Sequence, residues 1–95
     1  MITGAGRLRG IGRSTALALA KSGASVAVLD LYKNLPFKAN DEIKIGWTGI
    51  TSLEKEITQL GKSAIAIKCD VTNKKSVAQA VSQIIRKYGK IDILV

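Results

Sequence analysis

The sequence has no histidine, one cysteine and one proline, and only 4% of its 95 residues are aromatic. Without histidine, the commonest general base and metal ligand is missing, and no Cys/His cluster can hold zinc. The single cysteine, Cys69, excludes a disulfide within the chain. This usage fits a reducing compartment, so we expect a cytoplasmic protein. The apolar runs are no longer than a strand, so we expect neither a signal peptide nor a membrane partner.

Acidic residues are also scarce, with seven Asp and Glu against fifteen Lys and Arg and a formal net charge of +8. Such a balance suits a module that binds nucleic acid or another polyanion. It also suits a solvated surface, which we favour because the lysines are spread along the chain. The aromatic residues do not interleave with basic residues on strands, which argues against a base-stacking platform. We therefore expect no nucleic-acid partner, and polyanion binding stays the alternative function.

The stretch from Thr3 to Gly12 reads Thr-Gly-Ala-Gly-Arg-Leu-Arg-Gly-Ile-Gly, between a short apolar stub and a helical pattern. A strand, a glycine turn and a helix in this order can hold the pyrophosphate of a dinucleotide, because helix N–H groups face the anion. Asp30 ends the next apolar run, about twenty residues beyond Gly10. A carboxylate at this place can accept hydrogen bonds from a ribose 2′-hydroxyl.

Apolar runs and helical periods alternate along the rest of the chain. They predict strands at 25–30, 63–68 and 91–95 after the N-terminal stub, and helices at 11–22, 51–60 and 73–88. The first helix is expected to bury Ile11, Thr15, Ala18, Leu19 and Ser22, and the last to bury Val77, Val81, Ile84, Ile85 and Tyr88. This alternation predicts an α/β fold, in which a parallel sheet of about four strands in the order 3-2-1-4 carries helices on both faces. It is a partial doubly wound, or Rossmann, fold.

Residues 31–50, which we call the flap, interrupt the alternation. They contain Pro36 and three aromatic residues, Tyr32, Phe37 and Trp47, and a short helical turn is expected at 40–45. A connection of this length is unusual in a compact domain. The flap could be a lid near the adenosine end of a cofactor. It could also be a surface insertion whose aromatic residues pack onto the domain or a partner subunit, and we favour this second interpretation.

In combination, these motifs resemble the short-chain dehydrogenase/reductase family, and in particular its 3-oxoacyl-acyl-carrier-protein reductase-like members. The residues that carry the resemblance are Thr3-Gly4, Gly10-Ile11-Gly12, Asp30, Cys69-Asp70-Val71 and Ile91-Asp92-Ile93-Leu94-Val95. It implies that residues 1–95 are a truncated dinucleotide-binding Rossmann domain with an inserted flap. It also implies the N-terminal NAD(P)-binding part of an oxidoreductase that transfers hydride between a nicotinamide cofactor and an alcohol or ketone, and a homo-oligomer at full length.

The resemblance also implies which residues bind the cofactor. Gly4, Gly10, Ile11 and Gly12 would contact its phosphates and ribose. Asp30 would hold the adenosine ribose, with Leu31 beside it among the cofactor-binding residues. Asp70 and Val71 would line the adenine pocket.

Two departures from the family pattern limit what the resemblance implies. Five residues, Ala5–Arg9, separate Gly4 from Gly10, where the family usually has three. The family's Tyr-x-x-x-Lys pair is absent, since Pro36 stands four positions after Tyr32 and Asp92 four positions after Tyr88. We therefore expect no catalytic or metal-binding residue in this chain, and no activity from it alone.

Cofactor choice is predicted from two residues that disagree. The Asp30 carboxylate favours NAD, because it would bond the ribose hydroxyls and repel a 2′-phosphate. Arg9 resembles the basic residue of NADP-preferring members, but it lies in the lengthened loop and is expected to reach into solvent. We give Asp30 more weight than Arg9 and predict NAD as the cofactor, with NADP as the second possibility. Arg7 and Arg13 flank the same site, where they could attract phosphate or only solvate an exposed loop.

Overall fold

The computed structural model, which describes residues 1–95, is built around a three-stranded parallel sheet. Its strands, in the order β1-β2-β3, are β1 (Ile2–Thr3), β2 (Val26–Asp30) and β3 (Ala64–Lys68). The helices are α1 (Ile11–Lys21), α2 (Asn40–Ile45), α3 (Ile50–Gln59) and α4 (Lys74–Tyr88). Both strand pairs are parallel, which confirms the predicted α/β class and the predicted order of the first three strands.

The predicted fourth strand, 91–95, is not a regular strand in the structure. It nevertheless lies beside β1, at the place that the order 3-2-1-4 requires. The Thr3 N–H donates to the Val95 carbonyl and the Val95 N–H donates to the Met1 carbonyl, each at 2.9 Å. This is the bond pattern of a parallel pair, and it stays short because β1 itself contains only two residues.

Helices cover both faces of the sheet, as predicted. Alternate residues of β2 divide between two apolar clusters, because successive strand side chains point to opposite faces. Val26 and Val28 belong to the cluster under α1, α3 and the flap. Ala27 and Leu29 belong to the cluster under α4. Because it is apolar on both sides, β2 is buried from Val26 to Leu29, as its sequence indicates.

The predicted buried face of α1 is wrong. The residues that this helix buries are Gly12, Ala16 and Ala20, while Ile11 is 84% exposed and Ala18 is also exposed. The small residues face the sheet because they let the helix backbone approach it closely. The predicted face was chosen by helical spacing, which fits the neighbouring face of the helix as well.

The predicted face of α4 is closer to the observed one. Ile84 is buried with Ala80, while Val77, Val81 and Tyr88 are partly exposed. Ile85 is 42% exposed, so its placement in the buried face is wrong. The helix begins at Lys74, one residue after the predicted start. Asn73 is its cap, because the Asn73 side chain accepts a hydrogen bond from the Ser76 N–H.

The flap contains the predicted helical turn, which is α2, and it ends one residue inside α3. Thr51 and Ser52 do not cap α3, because Ile50 is its first residue and Gly49 its N-cap. Gly49 has a φ of +135°, and a Cβ there would lie 2.8 Å from the Lys33 carbonyl oxygen, so only glycine fits this turn. The Ser52 hydroxyl instead accepts a hydrogen bond from the Thr48 N–H at 2.9 Å.

The flap packs onto the domain through only part of its apolar side chains. Leu35 and Trp47 are buried in the cluster under α1 and α3. Phe37 is 83% exposed and Tyr32 is 45% exposed. Trp47 therefore agrees with the interpretation favoured from the sequence, whereas Phe37 makes little contact with the domain. No helix of the structure combines the length and the apolar character needed to cross a bilayer.

Candidate functional site

Three of the predicted site residues lie at the carboxyl edge of the parallel sheet. Gly4 follows β1, Asp30 ends β2 and Asp70 comes shortly after β3. The edge continues beyond the strands, because the Ala5 N–H donates to the Leu29 carbonyl at 3.1 Å and the Cys69 N–H donates to the Asp30 carbonyl at 2.8 Å. In open α/β sheets, ligands bind outside this edge.

The loop from Gly4 to Gly10, which we call the glycine loop, leads from β1 to the N-terminus of α1. Gly4 has a φ of +66°, a left-handed conformation that turns the chain away from the strand. Gly10 caps α1 without a side chain, and the first turn of the helix contains no acidic residue. The N–H groups of this turn therefore carry no side-chain cap, and the positive end of the helix dipole faces outward.

At Gly12, the first turn of α1 lies directly against the glycine loop. A Cβ placed there would lie 2.8 Å from Ala5 Cα and 3.0 Å from the Gly4 carbonyl oxygen. No side chain fits this space, because both neighbours are backbone atoms. A dinucleotide pyrophosphate needs this same close approach of helix to loop, so the residues present fit such a ligand.

Asp30 is joined directly to the glycine loop. Its Oδ2 accepts a hydrogen bond from the Gly6 N–H and its Oδ1 accepts one from the Leu31 N–H, both at 2.7 Å. A Cβ on Gly6 would lie 2.6 Å from Asp30 Oδ2, so the bond requires glycine at position 6. Each carboxylate oxygen has lone pairs left over, with which it can accept hydrogen bonds from ribose hydroxyls.

The remaining predicted site residues border the same edge. Ile11, Leu31 and Val71 are 84%, 44% and 63% exposed, which leaves their apolar surface open to a ligand. The Asp70 carboxylate turns back on its own chain and accepts hydrogen bonds from the Thr72 hydroxyl at 2.7 Å and the Thr72 N–H at 2.9 Å. These bonds lower the pKa of Asp70 below its ordinary value of 3.8, and the bond from the Thr72 hydroxyl has the larger effect.

The flap is attached to the glycine loop by the carboxylate of Glu42 on α2. Glu42 is only 2% exposed. Its Oε1 accepts hydrogen bonds from Arg7 Nη1 at 2.9 Å and from the Ala39 N–H at 2.8 Å, and its Oε2 accepts one from the Leu8 N–H at 3.0 Å. The bonds from the Ala39 and Leu8 N–H groups lower the pKa of Glu42 below its ordinary value of 4.5. Arg7 lowers the pKa further, and burial of the carboxylate, which raises it, does not outweigh these effects.

Trp47 forms a second attachment between the flap and the glycine loop. Its Nε1–H donates to the Gly6 carbonyl at 2.8 Å, and its ring is 5% exposed. The guanidinium of Arg13 lies 5.3 Å from the centre of the ring, and its charge is attracted to the ring face. Gly6 therefore contacts Trp47 through its carbonyl and Asp30 through its N–H.

All three arginines around the glycine loop are paired with carboxylates. Arg7 pairs with Glu42 and also donates to the Phe37 carbonyl at 2.9 Å. Arg13 makes two bonds to Glu56 on α3, at 3.0 and 2.7 Å. Arg9 is 82% exposed, as expected for a residue that reaches into solvent, yet its guanidinium pairs with Asp41 of α2. These pairs reduce the positive charge that the arginines present to an anion.

Sequence reasoning missed three residues of this arrangement. They are Gly6, Glu42 and Trp47, and each connects the glycine loop to another part of the chain. Gly6 could have been found, since it lies inside the glycine stretch that the sequence singles out. Trp47 is noted in the sequence only as an aromatic residue of the flap, and Glu42 is not noted. Both stand more than thirty positions from their partners in the glycine loop, so no local pattern predicts these bonds.

Comparison with known proteins places this geometry in a family. The family model described as short chain dehydrogenase matches residues 1–95. The chain belongs to the short-chain dehydrogenase family. This membership confirms the resemblance that the glycine stretch, Asp30 and Cys69-Asp70-Val71 indicate.

Individual short-chain dehydrogenases resemble the whole chain. It is 38% identical over 99 residues to cyclohexanol dehydrogenase from Rhodococcus sp. (strain TK6) and covers 34% of that protein's length. Among solved structures, carveol dehydrogenase from Mycobacterium avium in complex with NAD is 26% identical with a TM-score of 0.73. A metagenomic short-chain oxidoreductase in complex with NADP is 28% identical with a TM-score of 0.69. The chain covers 32% and 35% of these two structures and 98% of its own residues are matched in each.

Proposed function

We propose that residues 1–95 are the dinucleotide-binding part of an NAD(P)-dependent oxidoreductase, with the flap as an insertion in it. The observation that carries the proposal is the backbone contact at Gly12, where any Cβ would lie within 3.0 Å of the glycine loop. A helix N-terminus that approaches a loop this closely, without an acidic residue in its first turn, suits a pyrophosphate. The relatives solved with NAD and with NADP support the same ligand class.

NAD is the proposed cofactor, with the adenosine ribose at Asp30. The Gly6 and Leu31 bonds hold this carboxylate at the carboxyl end of β2. A ribose with two free hydroxyls can donate to it, whereas a 2′-phosphate would place negative charge against it. Gly4, Gly10, Ile11 and Gly12 would contact the phosphates, Leu31 would border the ribose, and Asp70 and Val71 would border the adenine.

The proposed reaction is hydride transfer between the nicotinamide and an alcohol or ketone. The chain spans about a third of the relatives it matches, so this activity is proposed for the full-length protein. The nicotinamide supplies the hydride chemistry when bound, and residues 1–95 bind and orient its adenosine half. We also propose a homo-oligomer at full length, on the family resemblance alone.

Polyanion binding without redox chemistry has less support. The three arginines nearest the candidate site are already paired with Glu42, Asp41 and Glu56. They therefore do not form the unpaired basic patch that electrostatic binding of a polyanion needs.

An activity assay of the full-length protein tests the proposed function. Cyclohexanol and carveol are suitable first substrates, because the relatives named above are dehydrogenases of these alcohols. We expect NAD to be reduced when an alcohol substrate is present, and we expect Gly12→Val to abolish the reaction while circular dichroism shows a retained fold. A full-length protein that oxidises no alcohol and reduces no ketone with either nucleotide would contradict the proposed reaction.

A further inference from the structure

The glycine loop is longer than the family pattern, the flap is long for a connection in a compact domain, and the structure joins the two. The loop has five residues between Gly4 and Gly10, and the flap lengthens the connection after β2. Four consecutive loop residues, Gly6 to Arg9, bond to the flap. These bonds reach across 32 to 41 positions of the sequence. The lengthened loop is therefore supported by tertiary contacts as well as by its own turn, in which the Gly10 N–H donates to the Arg7 carbonyl at 3.3 Å.

Glu42 is the central residue of these contacts between the glycine loop and the flap, which we call the junction. Its carboxylate is buried, carries a pKa below the ordinary value and accepts three hydrogen bonds from donors on both sides of the junction. Two of the donors, Arg7 Nη1 and the Leu8 N–H, belong to the glycine loop. Both carboxylate oxygens must accept, so an amide, which has one accepting oxygen, cannot replace the carboxylate.

We propose that Glu42 is a positioning residue for the cofactor, which sets the conformation of the glycine loop from the flap. The inference rests on the proposed dinucleotide site. Glu42 fixes Leu8 and Arg7, Trp47 fixes the Gly6 carbonyl, and the Gly6 N–H in turn holds the Asp30 carboxylate. Loosening the junction therefore moves both the phosphate-facing turn and the group that would receive the ribose. The flap is in this way a structural part of the binding site.

The test compares Glu42→Gln with Asp41→Asn in the full-length protein. The two substitutions change neighbouring residues of α2 and remove one negative charge each. Asp41 also bonds to the glycine loop, through Arg9, but that pair is exposed to solvent, whereas the Glu42 carboxylate is buried. NADH affinity is measured by fluorescence titration well below the melting temperature of each variant. We expect Glu42→Gln to weaken NADH binding about ten- to hundredfold, as for the loss of hydrogen bonds to a charged group. Asp41→Asn should change the affinity less than about threefold.

A spectroscopic readout separates positioning from general destabilisation. Trp47 can be labelled as 5-fluorotryptophan, and its fluorine resonance is assigned by its loss in Trp47→Phe. We expect Glu42→Gln to shift or broaden this resonance, because the Gly6–Trp47 contact loosens with the loop, and Asp41→Asn to leave it unmoved. Should Glu42→Gln fail to fold, Trp47→Phe carries the test, since it keeps a buried aromatic ring and removes the bond to Gly6.

The results for the variants test the role of Glu42, and the result for the wild type tests the dinucleotide site. A folded Glu42→Gln that binds NADH as tightly as the wild type overturns the inference, as does an equal loss in Asp41→Asn. If only Trp47→Phe can be measured, unchanged NADH affinity overturns it and weakened affinity supports it. Failure of the wild type to bind NADH and NADPH would instead reject the dinucleotide site itself.

Discussion

The Gly6 N–H donates a hydrogen bond to Asp30 Oδ2 at 2.7 Å, and this bond joins the glycine loop to the end of β2. It makes the conformation of Asp30 depend on a residue with no side chain. A Cβ at position 6 would lie 2.6 Å from Asp30 Oδ2 and 3.2 Å from its Cγ. The carboxylate end can turn away, whereas the strand that carries it is paired on both sides.

Gly6→Ala is therefore expected to preserve the fold and to displace the Asp30 carboxylate. NADH affinity should fall by about one order of magnitude, since a hydrogen bond to a charged group would be lost or distorted. The measurement is fluorescence titration of the full-length variant, with a thermal melt beside it. An affinity equal to that of the wild type would show that the Gly6–Asp30 bond does not serve the cofactor.

Replacing the Asp30 carboxylate should change the choice of cofactor. Asp30→Ala removes hydrogen bonds worth about 1.5–3 kcal/mol, which at about 1.4 kcal/mol per tenfold weakens NAD by one to two orders of magnitude. The substitution also removes the repulsion of a 2′-phosphate, so NADP should gain relative to NAD. The check is kcat/KM with both cofactors in the full-length wild type and variant. A wild type that already prefers NADP, or an unmoved ratio, would exclude Asp30 as the discriminating residue.

Glu42 should make stability depend on pH in the acidic range. Its pKa is lowered in the folded state, so the carboxylate stabilises the fold fully above its ordinary pKa of 4.5. This contribution is lost as the pH falls through the lowered folded-state value. We expect Glu42→Gln to cost about 1–3 kcal/mol at neutral pH, and the gap between wild type and variant to narrow as the pH falls below 4.5.

Thermal melts of both proteins across this range measure the effect. The comparison with Glu42→Gln is needed because Asp70 also has a lowered pKa and contributes to the wild-type profile. A gap that stays constant from neutral to acidic pH would mean that Glu42 is not ionised in its buried position.

The parts of the fold that follow from local sequence patterns could be predicted. The sheet order follows from the alternation of apolar strands and helical periods, and the glycine stretch with Asp30 defines the edge where a ligand would bind. The Asn73 cap and the α2 turn were also within reach, because caps and short turns depend on a few neighbouring residues.

The parts that depend on close packing could not be predicted. The buried face of α1 is set by how near Gly12, Ala16 and Ala20 allow the helix to the sheet, and helical spacing alone fits a neighbouring face of the helix as well. The role of Glu42 depends on contacts 34 and 35 positions away in the sequence. From the sequence, Glu42 is one acid in a polar turn, and only the tertiary structure shows that it is buried and bonded.

The central claim is that the N-terminus of α1 and the glycine loop bind a nicotinamide dinucleotide, and NADH titration of three full-length proteins tests it most directly. Gly12→Val places a branched side chain against the Ala5 backbone, where a Cβ alone would lie 2.8 Å from Ala5 Cα. Ser14→Val is the matched control, with the same branched residue at an exposed position of α1. The account predicts that the wild type and Ser14→Val bind NADH equally and that Gly12→Val binds at least about tenfold more weakly. Unchanged affinity in Gly12→Val, or a wild type that binds neither NADH nor NADPH, would contradict it.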